Sequence, residues 1–228
     1  LVLKDEIKTE DIQSIAGCSA TFTHNKIITI IVVIDMNMNI LEQKFDVSSI
    51  RFPYVRNMII SEHPKNMLCF FDIPGYMAYR ELPSLLKCYH SLESSPDILI
   101  VNGNGILHPR GFGIASHFGL MTQKPTIGIT KSLFLGTLKG NKVYNGNKIV
   151  AESVETKKGS KPIFISQGNL ITLKTAVEII KKTRGFLGCR KQKPVFFIKK
   201  CIKEPHKYPE PLALAHAYGR NIQKELTE

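Results

Sequence analysis

The residues best suited to chemistry crowd into one stretch of the chain. Asp97-Ile-Leu-Ile-Val-Asn102 runs into Gly103-Asn104-Gly105-Ile-Leu-His108-Pro-Arg110-Gly111, then passes Ser116 and His117 to reach Pro125-Thr-Ile-Gly-Ile-Thr-Lys131. Cationic and imidazole groups beside a glycine-rich turn suit an anion such as phosphate, and glycine lets a ligand approach the backbone closely. The stretch lacks an obvious reactive group. Asn102 stands where a carboxylate would be expected, as in a site stripped of its charges.

These groups need elements to hold them. Ile98 to Val101 reads as a buried strand and Thr126 to Ile129 as a second; ligands in open α/β sheets sit at the carboxyl ends of such strands. Upstream, Ser14 to Phe22, Ile27 to Ile34 and Ile40 to Val47 read as three antiparallel strands joined by polar turns. Phe52 to Pro74, with prolines at 53, 64 and 74, reads as a long loop or inserted lobe. Tyr76 to Leu92 has helical spacing, with Pro83 tolerable only near a first turn, and a shorter helix is expected around Gly113 to Thr122. Gly136 to Lys161 suggests a peripheral hairpin, Pro162 to Ser166 a strand, and Thr172 to Arg184 a helix with Ala176, Val177, Ile179 and Ile180 on its apolar face. The order is that of an α/β fold with a mixed sheet flanked by helices, in a single domain over residues 1–228.

Composition narrows the function classes. A net charge of +12 favours a polyanionic partner, DNA or RNA, because cations that neutralise phosphates release counterions. The strip from Lys181 to Lys207 is almost uniformly basic, with Phe186, Phe196 and Phe197 interleaved; its lysines suit phosphates and its rings a core. Five widely spaced cysteines without a CxxC pair suggest neither a disulfide framework nor a zinc site. No apolar run is long enough to span a membrane and no secretory core is visible, so the expected location is intracellular, in cytoplasm or nucleus.

Ile15-Ala-Gly17, Ile73-Pro-Gly-Tyr-Met-Ala-Tyr-Arg-Glu-Leu-Pro83, the Gly103 to Leu120 block, Pro125-Thr-Ile-Gly128 with Lys131 and Gly136, and Pro209-Glu-Pro211 together resemble endonuclease V, in the family's order. The resemblance implies an RNase H-like fold and, in active members, cleavage near deoxyinosine in DNA or inosine in RNA with Mg or Mn. Hard dications want anionic oxygen ligands. The positions matching the family's three carboxylates are Ser19, Glu81 and Asn102, so two of them carry no charge. Its turn histidine is matched by Asn104, and a later histidine by Asn169, after Gly168. Glu81 is left as the surviving metal ligand and Lys131 as the cation beside the metal centre, with Asp72 the available substitute acid. The family's wedge is broken: Pro53-Tyr54 is followed by Val55, and Pro74-Gly75 comes only later, which implies an insertion over residues 55–73 in the loop before the first long helix. Nucleic-acid contacts are expected at Tyr54, Pro74, Gly75, Gly103, Gly105, His108, Arg110, His117 and Lys131. Three readings stand open: a nucleic-acid binder without cleavage and without a metal cofactor, an active Mg- or Mn-dependent endonuclease using Glu81 and Asp72, and a scaffold that binds another protein through residues 55–73. Oligomeric state stays undetermined.

Overall fold

A computed structural model describes residues 1–23, 26–50, 75–156, 159–183 and 208–226. β1 (Ser14–Thr23), β2 (Lys26–Asp35) and β3 (Ile40–Ser49) form the expected antiparallel meander. In β2, Ile27 through Ile34 are all buried; a strand apolar on both faces needs cover on both sides. It has that cover, lying between β1 and β3 with helices above and below.

Next come α1 (Met77–His90), β4 (Ile98–Asn102), α2 (Ile114–Thr122) and β5 (Thr126–Thr130). β4 pairs parallel with β1, and β5 parallel with β4. Beyond them, β6 (Thr137–Lys139), β7 (Lys142–Asn145), β8 (Lys148–Val154) and β9 (Ile163–Gln167) complete a nine-stranded sheet ordered β3-β2-β1-β4-β5-β9-β8-β7-β6. The expected peripheral hairpin is therefore a three-stranded meander that extends the sheet through β9. Pro83 lies beyond the first turn of α1, inside the helix, where it removes a donor from the backbone ladder.

Strand alternation divides the core. Ile15, Ile28, Ile30, Ile98, Ile100, Ile127 and Ile129 pack on one face with α3 (Leu173–Lys182) and α4 (Glu210–Glu225). Ala16, Cys18, Ile31, Val33, Leu99 and Val101 pack on the other with α1 and α2. Thr172 caps α3 by accepting from the Thr175 amide, and Lys181 and Lys182 close its last turn, where cations oppose the helix dipole. α4 has no counterpart among the elements expected from sequence. Pro209 precedes it, and Leu212, Ala215, Gly219 and Ile222 turn one stripe to the sheet.

Gly17 admits that helix. A Cβ on Gly17 would lie 2.1 Å from the Pro211 carbonyl carbon, so any larger residue would push α4 off β1. Among the described residues no helix is long and apolar enough to cross a membrane. Tyr54, Asp72, Pro74, the inserted segment 55–73 and most of the basic strip, residues 184–207, lie outside the described residues.

Candidate functional site

The parallel strands β1, β4 and β5 all end at one edge of the sheet. Cys18 pairs with Val101, and Asn102 with Ile129, so Ser19, in the middle of β1 where its pairing with β4 stops, comes next to Asn102 at the end of β4. Alternation from Ile15 and from Ile98 and Ile100 turns both toward the face that α4 covers. Lys131 follows β5 at the same edge.

α4 runs along β1 in matched steps. Pro211 lies over Gly17, His216 meets Ser19, and Gln223 bonds the Thr21 hydroxyl at 3.2 Å and the Phe22 carbonyl at 2.8 Å. At about 3.3 Å per strand residue and about 1.5 Å per helix residue, the step from Gly17 to Ser19 nearly matches that from Pro211 to His216. Ser19, which is buried, holds its Oγ 3.2 Å from His216 Nδ1. The imidazole stacks on Tyr208 with centroids 4.8 Å apart, and Lys131 Nζ sits 4.7 Å from the centre of the same ring. Burial, and then the charges of Lys131 and Arg220, push His216 down to about 4, so it is neutral at pH 7. Its Nε2 is buried and makes no hydrogen bond among the described residues. The Tyr208 phenol is pushed up to about 12 by burial.

Glu81 comes from α1, on the other face. It is 7% exposed, and Arg80 donates to its carboxylate at 3.1 Å while stacking 4.2 Å from the Phe22 centroid. Burial pushes Glu81 up to about 7 against the opposing pull of Arg80. The surviving carboxyl thus has a cation of its own and is only partly ionised at neutral pH.

The glycine-rich turn is packed into the fold. Gly103 has φ +155°, and a Cβ there would lie 2.3 Å from Ile114 Cγ2; one on Gly105 would lie 2.0 Å from the Gln167 carbonyl oxygen. Packing alone therefore demands both glycines, without a ligand. The Gly105 amide donates to Ser166 Oγ at 2.8 Å and that of Ile106 to Gln167 at 2.9 Å, which fastens the turn to β9. Asn104 Oδ1 is buried without a hydrogen-bond partner among the described residues. His108 Nε2 lies 3.2 Å from the Gly75 carbonyl, which also accepts from Arg110. The Arg110 guanidinium lies 4.6 Å from the Tyr76 centroid, and His117 sits 6.2 Å from Tyr79. Burial and then the charge of Arg110 hold both histidines below the ordinary imidazole range.

Asn169 does not join this edge. β9 is antiparallel to β5, with Gln167 beside Ile127, so the residues after β9 emerge at the opposite end of β5 from Lys131. There the Asn169 amide receives from the Val2 backbone N–H at 3.0 Å, donates to the Gly119 carbonyl at 3.2 Å, and is 2% exposed. The imidazole beside Ser19 is His216, which sequence reasoning missed. The available signal was the helical stripe after Pro209, on which His216 falls between Leu212 and Gly219. Asp97 is also excluded, since its carboxylate receives the Gln13 and Ser14 amides at 2.9 Å at the far end of β4. Asp35 closes the β2–β3 turn by accepting from the Asn37 and Asn39 amides.

A hard dication fits this donor set poorly. Ser19 and Asn102 offer neutral oxygens, Glu81 is paired with Arg80, and Lys131 adds positive charge. Among the described residues no three His, Cys, Asp or Glu side chains gather as metal ligands. The edge instead presents a hydroxyl, amides, a neutral imidazole and an ammonium, a combination that can hold a phosphate.

Comparisons with known proteins agree with the motifs. A family model described as Endonuclease V matches residues 1–217. An endonuclease V of Dictyoglomus thermophilum is 32% identical over 229 residues, covering 96% of this chain and 83% of that protein. One from Desulfurococcus amylolyticus is 40% identical over 154 residues, 65% of this chain and 61% of its own length. Among solved structures, Streptomyces avermitilis endonuclease V superposes with a TM-score of 0.77 at 22% identity, covering 100% of this chain and 88% of that one. Ciona intestinalis endonuclease V, bound to a 24mer DNA containing an inosine followed by a ribo-adenosine, gives 0.75 at 22% identity and covers 99% and 92%. The mixed sheet with flanking helices is thus a shared fold.

Proposed function

The chain belongs to the endonuclease V family, and from that membership we propose that it binds nucleic acid without cutting it. The observation that carries this reading is the Ser19–His216 hydrogen bond: where the family resemblance expects a metal-binding carboxylate, a neutral hydroxyl is engaged with a neutral imidazole. Asn102 on the adjacent strand end repeats the loss of charge, and no magnesium or manganese is assigned. The Ciona relative's inosine-containing DNA indicates the ligand class. Lys131 takes a backbone phosphate at the strand ends, and Gly75, His108, Arg110 and His117 line the approach around the glycine-rich turn. Gly103 and Gly105 shape that turn, and Tyr54 and Pro74 are assigned to the same surface from sequence alone.

The test uses the full chain with labelled inosine-containing and plain strands, in Mn²⁺ and in EDTA. The expected result is binding that is indifferent to EDTA, weakens steeply with salt, and yields no cleaved product. Metal-dependent product that disappears in Glu81→Ala would overturn the reading. In the double variant Ser19→Asp with Asn102→Asp, metal-dependent nicking is the expected gain, since it restores two anionic carboxylates at neighbouring positions on adjacent strands.

A further inference from the structure

The face where α1 and α2 meet carries a row of rings. Tyr76 and Tyr79, one helical turn apart at the start of α1, are 44% and 52% exposed, with centroids 5.7 Å apart. Tyr79 continues to His117 on α2 at 6.2 Å, and His117 to Phe112 at 4.2 Å in edge contact. At the other end, Arg110 lays its guanidinium 4.6 Å from the Tyr76 centroid. The two tyrosines are not needed to fill the core, which on this face is closed by Ala78, Leu85, Cys88 and Phe118.

The row is also braced. The Gly75 carbonyl, directly before Tyr76, accepts from both His108 and Arg110, which ties the start of α1 to the loop after β4. Rings held at fixed spacing, with a cation stacked at one end, offer π-faces to bases and a charge to the phosphates between them. Duplex DNA or RNA keeps its bases stacked on one another, so only an unpaired strand can use such faces.

We propose that Tyr76 and Tyr79, continued by His117 and Phe112 and flanked by Arg110, form a stacking platform for the unpaired bases of a single strand. This rests on the nucleic-acid-binding reading above and adds a preference to it: single strands over duplex, with little dependence on base identity. The net charge of +12 supplies the complementary attraction for a nucleic-acid occupant over an uncharged apolar partner.

The chain has seven tyrosines and no tryptophan, so its emission reports on tyrosine directly. The experiment measures affinity and tyrosine quenching for an unstructured single strand and for a duplex of equal length, in EDTA. The proteins compared are wild type, Tyr76→Leu with Tyr79→Leu, Tyr76→Phe with Tyr79→Phe, and Lys131→Gln. The leucine pair is expected to lose about tenfold in single-strand affinity per ring and nothing for duplex. The phenylalanine pair keeps affinity but loses part of the quenching, and Lys131→Gln weakens both ligands alike. Equal loss for duplex and single strand, or no loss in the leucine pair while wild type binds, overturns the platform and leaves the binding reading standing. Failure of wild type to bind either ligand overturns both. Unchanged thermal unfolding of the leucine pair confirms that the exposed rings were removed without unfolding the helix.

Discussion

Replacing Asn169 by alanine removes one hydrogen bond from the Val2 amide, half-buried, and one to the Gly119 carbonyl, buried. The cost is expected to be about 2 kcal/mol in denaturant unfolding, with unchanged nucleic-acid affinity per folded molecule. A loss of affinity at full stability would instead return Asn169 to the site. His216→Gln makes the complementary case: it keeps a hydrogen-bonding group near Ser19 but removes the imidazole stacked on Tyr208. It should weaken single-strand and duplex binding alike, read in a gel-shift titration. Asn102, the glycine turn and Lys131 were legible as neighbours of strands because the apolar runs of β4 and β5 are easy to see. Sequence reasoning assigned the late histidine to Asn169 because a glycine precedes it, and nothing local to that residue records that β9 runs antiparallel to β5 and carries it to the wrong edge.

At the scale of elements, α4 was the part least visible. Leu212-Ala-Leu-Ala-His-Ala-Tyr218 alternates as a strand would, while its buried stripe repeats with helical spacing, and only contact with β1 decides between them. The strands β1 to β5 and β9, by contrast, were legible to within a residue or two, since β-branched runs such as Ile27 to Ile34 leave little alternative, while β6 was not expected. Gly17 is the hinge of the arrangement. With Pro211 and Leu212 backbone atoms within 2.5 Å of any Cβ built there, Gly17→Ala forces α4 outward. About 1–3 kcal/mol of stability should be lost, measurable by urea titration, and the salt-dependent binding should fall beyond what unfolding explains, because His216 and Tyr208 move with the helix. A variant that is as stable and binds as tightly as wild type would show that α4 does not need this seat.

Across the whole molecule, two buried groups titrate in opposite senses. Glu81 ordinarily loses its proton near 4.5 but is held at about 7 by burial, so the folded chain keeps a proton that the unfolded chain has lost. Its contribution to stability is full below 4.5 and is lost as pH rises through about 7. His216 ordinarily gains its proton near 6.5 but is held at about 4, so its contribution is full above 6.5 and is lost as pH falls through about 4. Between pH 4.5 and 6.5 the two slopes oppose each other. His108 and His117, likewise held low, add to the His216 slope, so relative to the wild type the profile of Glu81→Gln should rise more steeply with pH and that of His216→Gln less steeply. Each unmasked change is about 2–3 kcal/mol across the interval. Urea titrations at the two ends of that interval decide the matter, and variant profiles parallel to that of the wild type would contradict the burial argument.

The bond between Ser19 and His216 joins positions 197 residues apart in the chain. Ribosomes add about 5–20 residues per second, so a nascent β1 waits roughly 10–40 s for its partner. During that wait, Gly17 and Ser19 present a bare sheet face where α4 will later lie. High contact order of this kind slows folding. Assembly of the strand-end cluster is therefore a late event, and a chaperone that shields β1 until α4 arrives would raise the yield of native protein more than one that acts on the finished sheet.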